Sequence, residues 1–321
     1  MNTLLLSAAD VERLLTPEAC IAAVEDAFRQ LALGGVPAPG ILGQHAAEGS
    51  FHVKAGFLTA DRPYFAAKIN ANFPHNGPRH GLPTIQGAVI LSDATNGTPL
   101  AIMDSMSITA LRTAAASAVA AKFLARVKAD TLLIIGCGAQ APAQLAAMLA
   151  VRSPSRILAY DQDQAKAARL GTPVSDLAEA VRSSDIVVTC TTARRFFITH
   201  DMVRPGTFIA AVGADNEDKQ EIDPRLLVRV KVVTDLTVQS AAIGDLHHAI
   251  AAGAMTADGV HAELGEIIAG RKPGRANDEE IIVFDSTGTG IQDVAAAIAV
   301  YQKARNESTT RAFALSERKA A

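Results

Sequence analysis

Residues 131–145 constrain the fold more than any other stretch, because a buried-strand run, two closely spaced glycines and a helix start follow one another there. The apolar run 132–135 ends at Gly136 and Gly138, and Ala141 takes the third small position of a Gly-x-Gly-x-x-Gly/Ala pattern. The first glycine permits a tight turn, the second lets the backbone approach a pyrophosphate, and the third small residue lets the helix pack on the strand. N–H groups at the helix start then face the phosphates. The stretch predicts dinucleotide binding, although a plain glycine turn has the same appearance.

A second short strand is predicted at residues 156–160, and Asp161 follows it directly. Its offset from the glycines is near the roughly 20 residues expected of an acid that binds a ribose 2′-hydroxyl. Gln162 and Asp163 come next, without an arginine to receive a 2′-phosphate, which a carboxylate repels. The sequence therefore predicts NAD rather than NADP as the cofactor. The alternative role for Asp161 is that of a helix cap.

Strand and helix patterns alternate after Asp161, which predicts a mostly parallel, doubly wound sheet. The strand runs are residues 185–190, 207–212, 231–234 and 281–284. In such sheets ligands bind at the carboxyl ends of the strands. The residues at those ends are Thr191, Gly213 to Asp215, Asp235 and Ser286 to Gly288. Asp215 is a candidate acid there, although an acid after a glycine also caps turns.

Residues 39–104 are predicted to form β-structure, with a hairpin turn at Asn96-Gly97. One face of these strands is expected to be core. Lys54 and Lys68 lie on the face opposite the aromatic and aliphatic side chains. A lysine on such a strand is most often solvated, so each is a candidate only in combination with other residues.

An alanine-rich helix is predicted from Ser107, as its N-cap, to about Arg126. Arg112 is the sole charge in its first four turns. An arginine there is either ion-paired for structural reasons or clamps a carboxylate, for which guanidinium is the best suited group. We favour the clamp.

The predicted fold class is α/β, with a Rossmann doubly wound domain and a β-rich α+β domain. The Rossmann domain spans residues 122–289, and the second domain comprises 1–121 and 290–321. The helix predicted at about 292–304 thus returns to the first part of the chain. The polar tail from Asn306 is expected to be disordered.

Composition excludes several classes of function. The net charge of −3 gives no sign of a nucleic-acid or membrane partner. Cys20, Cys137 and Cys190 have no paired spacing, which argues against metal and disulfide frameworks and fits a reducing cytoplasm. His247-His248 has no third ligand at useful spacing, so no metal site is predicted. The apolar run at the N-terminus is too short for a signal peptide.

Several of these stretches together resemble the ornithine cyclodeaminase/mu-crystallin family over nearly the full length. They are Lys68 to Asn70 with Asn76, Thr84 to Gly87, Ile108 to Ala115, Gly136 to Ala141, Val212 to Asp215 with Lys219 and Glu221, Gly244-Asp245, and Phe284 to Gly288. The resemblance implies a Rossmann domain inserted between two parts of a substrate-binding and dimerisation domain. It also implies a homodimer that uses a nicotinamide cofactor on small 2-amino or 2-imino acids.

The resemblance also implies roles for individual residues. Lys68 and Arg112 would bind the substrate carboxylate, Asp215 would be the acid/base at the amine, and Thr287 would border the substrate. Lys68, near another cation, is expected to have a lowered pKa and to share in proton transfer. The cofactor contacts would be Thr84, Arg112, Gly136, Gly138, Ala139, Gln140, Asp161, Thr191, Val212, Gly213, Lys219 and Ser286.

The chain departs from ornithine cyclodeaminase, which has an early-strand arginine on the substrate carboxylate. No arginine occurs from Gln30 to Ala60, and Lys54 is the candidate for that place, although lysine lacks the bidentate fork. An NAD(H)-dependent imino-acid reductase or amino-acid dehydrogenase is therefore the first hypothesis, with Δ1-pyrroline-2-carboxylate/proline or pyruvate plus ammonia/alanine as examples. A cyclodeaminase and a non-catalytic binding protein like mu-crystallin are the alternatives.

Overall fold

The computed structural model describes residues 2–307 and 311–315 of the chain. The strands in these ranges are β1 (Thr3–Leu6), β2 (Gly40–Ala46), β3 (Gly49–Thr59), β4 (Pro63–Asn72), β5 (Ile85–Asp93), β6 (Pro99–Asp104), β7 (Thr131–Ile135), β8 (Arg156–Tyr160), β9 (Thr172–Pro173), β10 (Ile186–Thr189), β11 (Arg194–Ile198), β12 (Phe208–Ala211), β13 (Gln220–Ile222), β14 (Lys231–Thr234), β15 (Ala262–Glu263), β16 (Ile282–Asp285) and β17 (Arg311–Phe313). The α-helices are α1 (Ala8–Leu14), α2 (Pro17–Ala32), α3 (Asn76–His80), α4 (Ser105–Leu124), α5 (Ala141–Val151), α6 (Gln164–Leu170), α7 (Leu177–Arg182), α8 (Pro224–Leu227), α9 (Thr237–Ile243), α10 (Asp245–Ala251), α11 (Leu264–Ile268) and α12 (Gly290–Ala304). Within the described ranges, no helix combines the length and apolarity that crossing a membrane requires.

The chain divides into two compact units. The first comprises Met1–Arg112 and Thr289–Ala321, and the second comprises Thr113–Gly288. The first joint, at 112/113, comes earlier than the expected 121/122, and both positions fall inside α4. No turn interrupts this helix, so the sequence pattern gives no sign of the joint. The second joint, at 288/289, lies next to the expected 289/290.

The first unit is built on a seven-stranded sheet of order β17-β1-β6-β5-β4-β3-β2. Strands β2 to β6 pair antiparallel, and β1 pairs parallel with β6. Helix α12 packs against β3, β4 and α2. A Cβ on Gly290, the first residue of α12, would lie 2.4 Å from the carbonyl oxygen of Ala55 on β3. Only glycine therefore lets the helix begin this close to the sheet.

Alternate residues of β3 and β4 face opposite sides of the first sheet, and the more apolar set is the exposed one. Tyr64, Ala66 and Lys68 of β4 are buried. Ile69 is 42% exposed and Phe57, on the same face of β3, is 40% exposed. The expectation that a lysine on these strands is solvated is therefore wrong for Lys68. Its side of the strand is the one that α12 covers.

The end of the chain supplies an edge strand. β17 pairs antiparallel with β1, with Ala312 opposite Leu4. The expectation of a disordered tail is therefore wrong at residues 311–313. For residues 308–310 and 316–321 it lies outside the described residues.

The second unit contains an eight-stranded sheet of order β15-β14-β16-β12-β10-β7-β8-β9, in which neighbouring strands pair parallel. Leu133, Val187, Ile209 and Val283 from its four central strands are fully buried in one core. The α/β prediction with a doubly wound parallel sheet and a β-rich partner is confirmed. Because the strands are parallel, their carboxyl ends share one edge with the glycine turn after β7.

Candidate functional site

The glycine turn of the second unit has the shape that a dinucleotide needs. Gly136 has φ +90°, and a Cβ there would lie 2.8 Å from Thr191 Cγ2 and 2.9 Å from the Cys190 carbonyl oxygen. Gly138 differs, because a Cβ there would meet nothing within 4 Å. The space beside Gly138 is left open for a ligand, and α5 begins three residues later at the buried Ala141. The residues present therefore fit a pyrophosphate at this helix start.

Asp161 is bound to the glycine turn. Its Oδ2 accepts a hydrogen bond from the Cys137 N–H at 2.7 Å, and its Oδ1 accepts one from the Asp163 N–H at 2.8 Å. An ionised carboxylate has about four acceptor positions, so Asp161 keeps capacity for a ribose hydroxyl. The helix-cap alternative is wrong for this residue, because Asp163 is the N-cap of α6.

Glu221 ties together two strand ends that carry predicted cofactor contacts. Its Oε1 accepts from the N–H and the hydroxyl of Thr191 at 2.8 and 2.7 Å. Its Oε2 accepts from the Gly213 N–H at 2.8 Å and from the Thr189 hydroxyl at 2.6 Å. Burial raises the pKa of Glu221 against these hydrogen bonds. The residue thus fixes the loops after β10 and β12, a role that the sequence did not assign to it.

Asp235 fixes the loop after β16 by accepting three hydrogen bonds from it. It accepts from the Ser286 hydroxyl at 3.3 Å, the Thr287 hydroxyl at 3.0 Å and the Gly288 N–H at 2.6 Å. Ser286 and Thr287 are buried, as is Val212, whose N–H bonds the Thr189 carbonyl. The predicted contacts after three strands are thus held by buried acids.

Two further buried acids continue this arrangement. Asp245 accepts from the N–H groups of Glu221 and Ile222, and Asp285 accepts from those of Asp245 and Leu246. Burial, with the neighbouring carboxylates, raises the pKa of Asp285 to about 7 and that of Asp245 well above its usual range. Both carboxyl groups are therefore harder to ionise than an exposed aspartate, and both hold backbone N–H groups at this edge of the sheet.

Asp215 lies in the loop after β12 with half of its side chain exposed. Lys219 Nζ forms an ion pair with its Oδ1 at 2.7 Å. A predicted acid/base and a predicted cofactor contact are thus partners in one short loop. Exposure keeps the carboxylate accessible to a ligand.

A buried ionic cluster in the first unit joins β4, α4 and α12. Lys68 Nζ donates to Asp293 Oδ1 at 2.9 Å and to the Thr109 hydroxyl at 3.1 Å. Arg112 Nε donates to the same Asp293 oxygen at 2.9 Å, and its Nη1 donates to Gln292 Oε1 at 3.0 Å. Lys68, Arg112 and Asp293 are 3%, 5% and 1% exposed, so water screens them little. Arg112 has the ion pair that its structural interpretation required, but it shares that partner with the candidate lysine.

The cluster carries more positive than negative charge. Lys54 of β3 lies directly opposite Lys68 of β4. Burial, Arg112 and Lys54 lower the pKa of Lys68 to about 7 while Asp293 acts to raise it, which confirms the expected direction. Burial acts to raise the pKa of Asp293, but Lys68 and Arg112 outweigh it and lower that pKa. Three cationic side chains around one carboxylate make a site that attracts a second anion.

Three predicted cofactor contacts remain, and each lies in a turn or loop. Ala139 is exposed in the glycine turn, and Gln140 is the residue before α5. Thr84 is exposed in the first unit, in the loop before β5. The sequence pattern does not single out Asp293, although it is the one acid in residues 290–304.

A doubly wound sheet with this glycine turn and acid defines a dinucleotide-binding α/β protein. The sequence profile of the ornithine cyclodeaminase/mu-crystallin family matches residues 1–308, and the chain belongs to that family.

Curated relatives and solved structures are similar to the chain over nearly its full length. The chain is 38% identical over 316 residues to the alanine dehydrogenase of Archaeoglobus fulgidus, covering 96% of this chain and 97% of that protein. A solved archaeal alanine dehydrogenase dimer with bound NAD superposes with a TM-score of 0.93 at 37% identity, covering 98% and 100% of the two chains. Thermococcus litoralis Δ1-pyrroline-2-carboxylate reductase, solved with NADH and L-proline, gives 0.90 at 34% identity, covering 96% and 99%.

Proposed function

We infer that this protein is an NAD(H)-dependent oxidoreductase acting on C–N bonds, an imino-acid reductase or amino-acid dehydrogenase for small 2-imino or 2-amino acids. The observation that carries the inference is the buried cluster of Lys68 and Arg112, with Lys54 beside it, in a chain that also has a dinucleotide turn. A site with excess positive charge suits a substrate carboxylate. The relatives act on alanine and on Δ1-pyrroline-2-carboxylate, which carry a carboxylate beside the reacting carbon.

The proposed mechanism divides the work between the two groups of residues. When bound, the nicotinamide supplies hydride transfer to or from the substrate Cα. Lys68, Arg112 and Lys54 hold the carboxylate and so fix the position of Cα. Asp215 exchanges a proton with the substrate nitrogen. Lys68, with a pKa of about 7, is able to share this proton transfer at neutral pH.

The test is a panel of amino acids and cyclic imines, including proline, alanine and Δ1-pyrroline-2-carboxylate, with turnover followed by NADH absorbance. At least one member should be converted with stoichiometric oxidation or reduction of the cofactor. Ornithine converted to proline without net change in NADH would favour the cyclodeaminase alternative. Binding of panel members without turnover would favour the mu-crystallin-like alternative.

NADH should be preferred over NADPH. Replacing Asp161→Ser together with Gln162→Arg should shift the affinity ratio toward NADPH by roughly tenfold or more, because a repulsive carboxylate is removed and a phosphate ligand is added. NADH affinity should also fall, since the Cys137 N–H loses its acceptor. Fluorescence titration of both nucleotides measures the ratio.

Asp163→Ser is the control for that variant, because Asp163 caps α6 from the adjacent position and serine is also a good cap. It should leave the ratio unchanged. Preference of the unmodified protein for NADPH would contradict the role given to Asp161.

We further propose that the protein is a cytoplasmic homodimer. All three cysteines are free thiols, which suits a reducing compartment. The dimer would form through the exposed face of the first sheet, to which Leu42, Phe51, Phe57 and Ile69 contribute. A monomer rarely leaves so large an apolar face in water, and a solved relative is a dimer.

Light scattering at micromolar concentration should give the mass of two chains. Phe57→Asp should shift it toward one chain, because Phe57 packs on Phe65 in that face with ring centroids 5.0 Å apart. Leu149→Asp, at a similarly exposed leucine on α5, should leave the mass unchanged. The mass of one chain for the unmodified protein would refute the dimer.

A further inference from the structure

Asp293 is the point at which the two candidate carboxylate-binding cations meet. We propose that it is a positioning residue for substrate recognition, which fixes the spacing of the Lys68 ammonium and the Arg112 guanidinium and keeps Lys68 charged. The inference rests on the proposed function, and it adds a residue that neither the sequence nor the comparisons assign.

One oxygen atom of Asp293 sets the geometry. Lys68 Nζ and Arg112 Nε each donate to Oδ1 at 2.9 Å, so the two nitrogen atoms lie no further apart than two hydrogen-bond lengths. The ammonium has three donors and the guanidinium five, so both keep N–H groups for a ligand. Two such donors side by side match the two oxygens of a carboxylate.

Polar capacity also remains within the cluster. Asp293 Oδ2 and Gln292 Nε2 are buried without a hydrogen-bond partner among the described residues. Buried polar groups are nearly always paired in a native protein. Because these two atoms are unpaired, we infer that a polar group of the ligand, or a water molecule that accompanies the ligand, binds beside them.

The charge of Asp293 determines whether Lys68 stays protonated. The charged groups that face Lys68 are Lys54 from β3, Arg112 from α4 and Asp293 from α12, and its neighbour on β5 is the apolar Val89. Asp293 alone among them favours the ammonium. Without it, burial and two cations would drive the pKa of Lys68 below its value of about 7.

The fold holds Asp293 in place. It lies in the first turn of α12, where the partial positive charge of the helix start favours a carboxylate. Gly290 sets the beginning of this helix directly against β3. The start of α12 therefore places the Asp293 carboxylate on the face of the sheet that this helix covers, whether or not substrate is bound.

Asp293→Asn tests the proposal through substrate KM, kcat and the pH profile of kcat/KM on the best panel substrate. The lost charge lowers the pKa of Lys68, so the ammonium is lost at a lower pH than in the unmodified enzyme. We expect KM to rise roughly tenfold or more with a smaller change in kcat, and the alkaline limb of kcat/KM to move to lower pH. An unchanged limb and KM would overturn the proposal.

Asp93→Asn is the matched control. Asp93 is also a buried carboxylate of the first unit, 5% exposed and paired with Arg62 at 2.8 Å. Its loss should affect stability without moving the pH limb. A limb that moves equally in both variants would show a general effect of destabilisation and overturn the proposal.

Asp293→Glu keeps the proposal testable if Asp293→Asn does not fold. This substitution retains the charge but displaces it by one methylene, so KM should rise while the alkaline limb stays in place. An unchanged KM would overturn the positioning role.

Lys68→Met tests the carboxylate site separately from the role of Asp293. Normal substrate binding in Lys68→Met would remove the carboxylate site that the proposed mechanism assigns to Lys68. Weak binding there beside a wild-type Asp293→Asn profile would remove only the role of Asp293.

Discussion

Asp215→Asn should reduce turnover by roughly a hundredfold or more, as expected for a lost general acid/base, while NADH affinity changes little. The amide keeps the shape of the side chain and removes the titrating proton. The lost ion pair with Lys219 is half exposed, and exposed pairs contribute only about 0–1 kcal/mol to stability, so folding should survive. Steady-state kinetics give the turnover, and fluorescence gives NADH binding.

Asp218→Asn is the control for this loop. Asp218 is exposed, and its Oδ2 lies 3.8 Å from Arg194 Nη2. Its replacement removes a carboxylate three residues after Asp215 and leaves the predicted acid in place. It should have normal kinetics. Normal turnover in Asp215→Asn would remove Asp215 from the mechanism and leave Lys68, with its pKa of about 7, as the candidate for the proton.

Arg112→Lys should mainly weaken substrate binding, by about 1–3 kcal/mol, the range for a lost hydrogen bond to a charged group. The guanidinium reaches Asp293 and Gln292 from different nitrogens, and a single ammonium cannot reproduce that spacing. KM should therefore rise while the charge of the site is kept. The measurement is KM for the best panel substrate, with NADH affinity measured separately.

Arg62→Lys is the corresponding control, because Arg62 pairs with the buried Asp93 in the same unit. It should leave KM unchanged. An Arg112→Lys enzyme with normal KM would return Arg112 to a purely structural role as a partner of Asp293.

The features that the sequence predicted well depend on local pattern. The glycine turn and the strands beside it are encoded within a few residues of one another, and the parallel sheet follows from their alternation. The start of α4 shows the limit of this approach. Ser107 was expected to be the N-cap, but the helix begins at Ser105 and the Asp104 carboxylate accepts the Ser107 N–H at 2.7 Å. Asp104 and Ser107 are both acceptable capping residues and lie three positions apart, so the sequence leaves the start of the helix undecided.

The parts that the sequence did not predict depend on long-range pairing. Lys68 and Asp293 lie 225 residues apart in the chain, and an acid in a first helical turn is ordinary. The sequence also predicts the wrong buried face for β3 and β4, since the aromatic residues indicate a core on their own side and the structure buries the side of Lys68. Only the position of α12 decides which side of the sheet is covered. The roles of Asp215 and the cofactor contacts stay predictions.

The turn between β3 and β4 is held by α12, and this contact fixes the register of the two strands. Asp61 in this turn accepts from Tyr64, Gln302 and Arg305, so the far end of α12 holds the hairpin. A slip of one residue in the pairing would exchange every inward side chain for an outward one. Ile69 would then occupy the position of Lys68. One helix therefore fixes the register at one end and supplies the carboxylate at the other, so the chemistry of the inner face and the apolarity of the outer face cannot change independently.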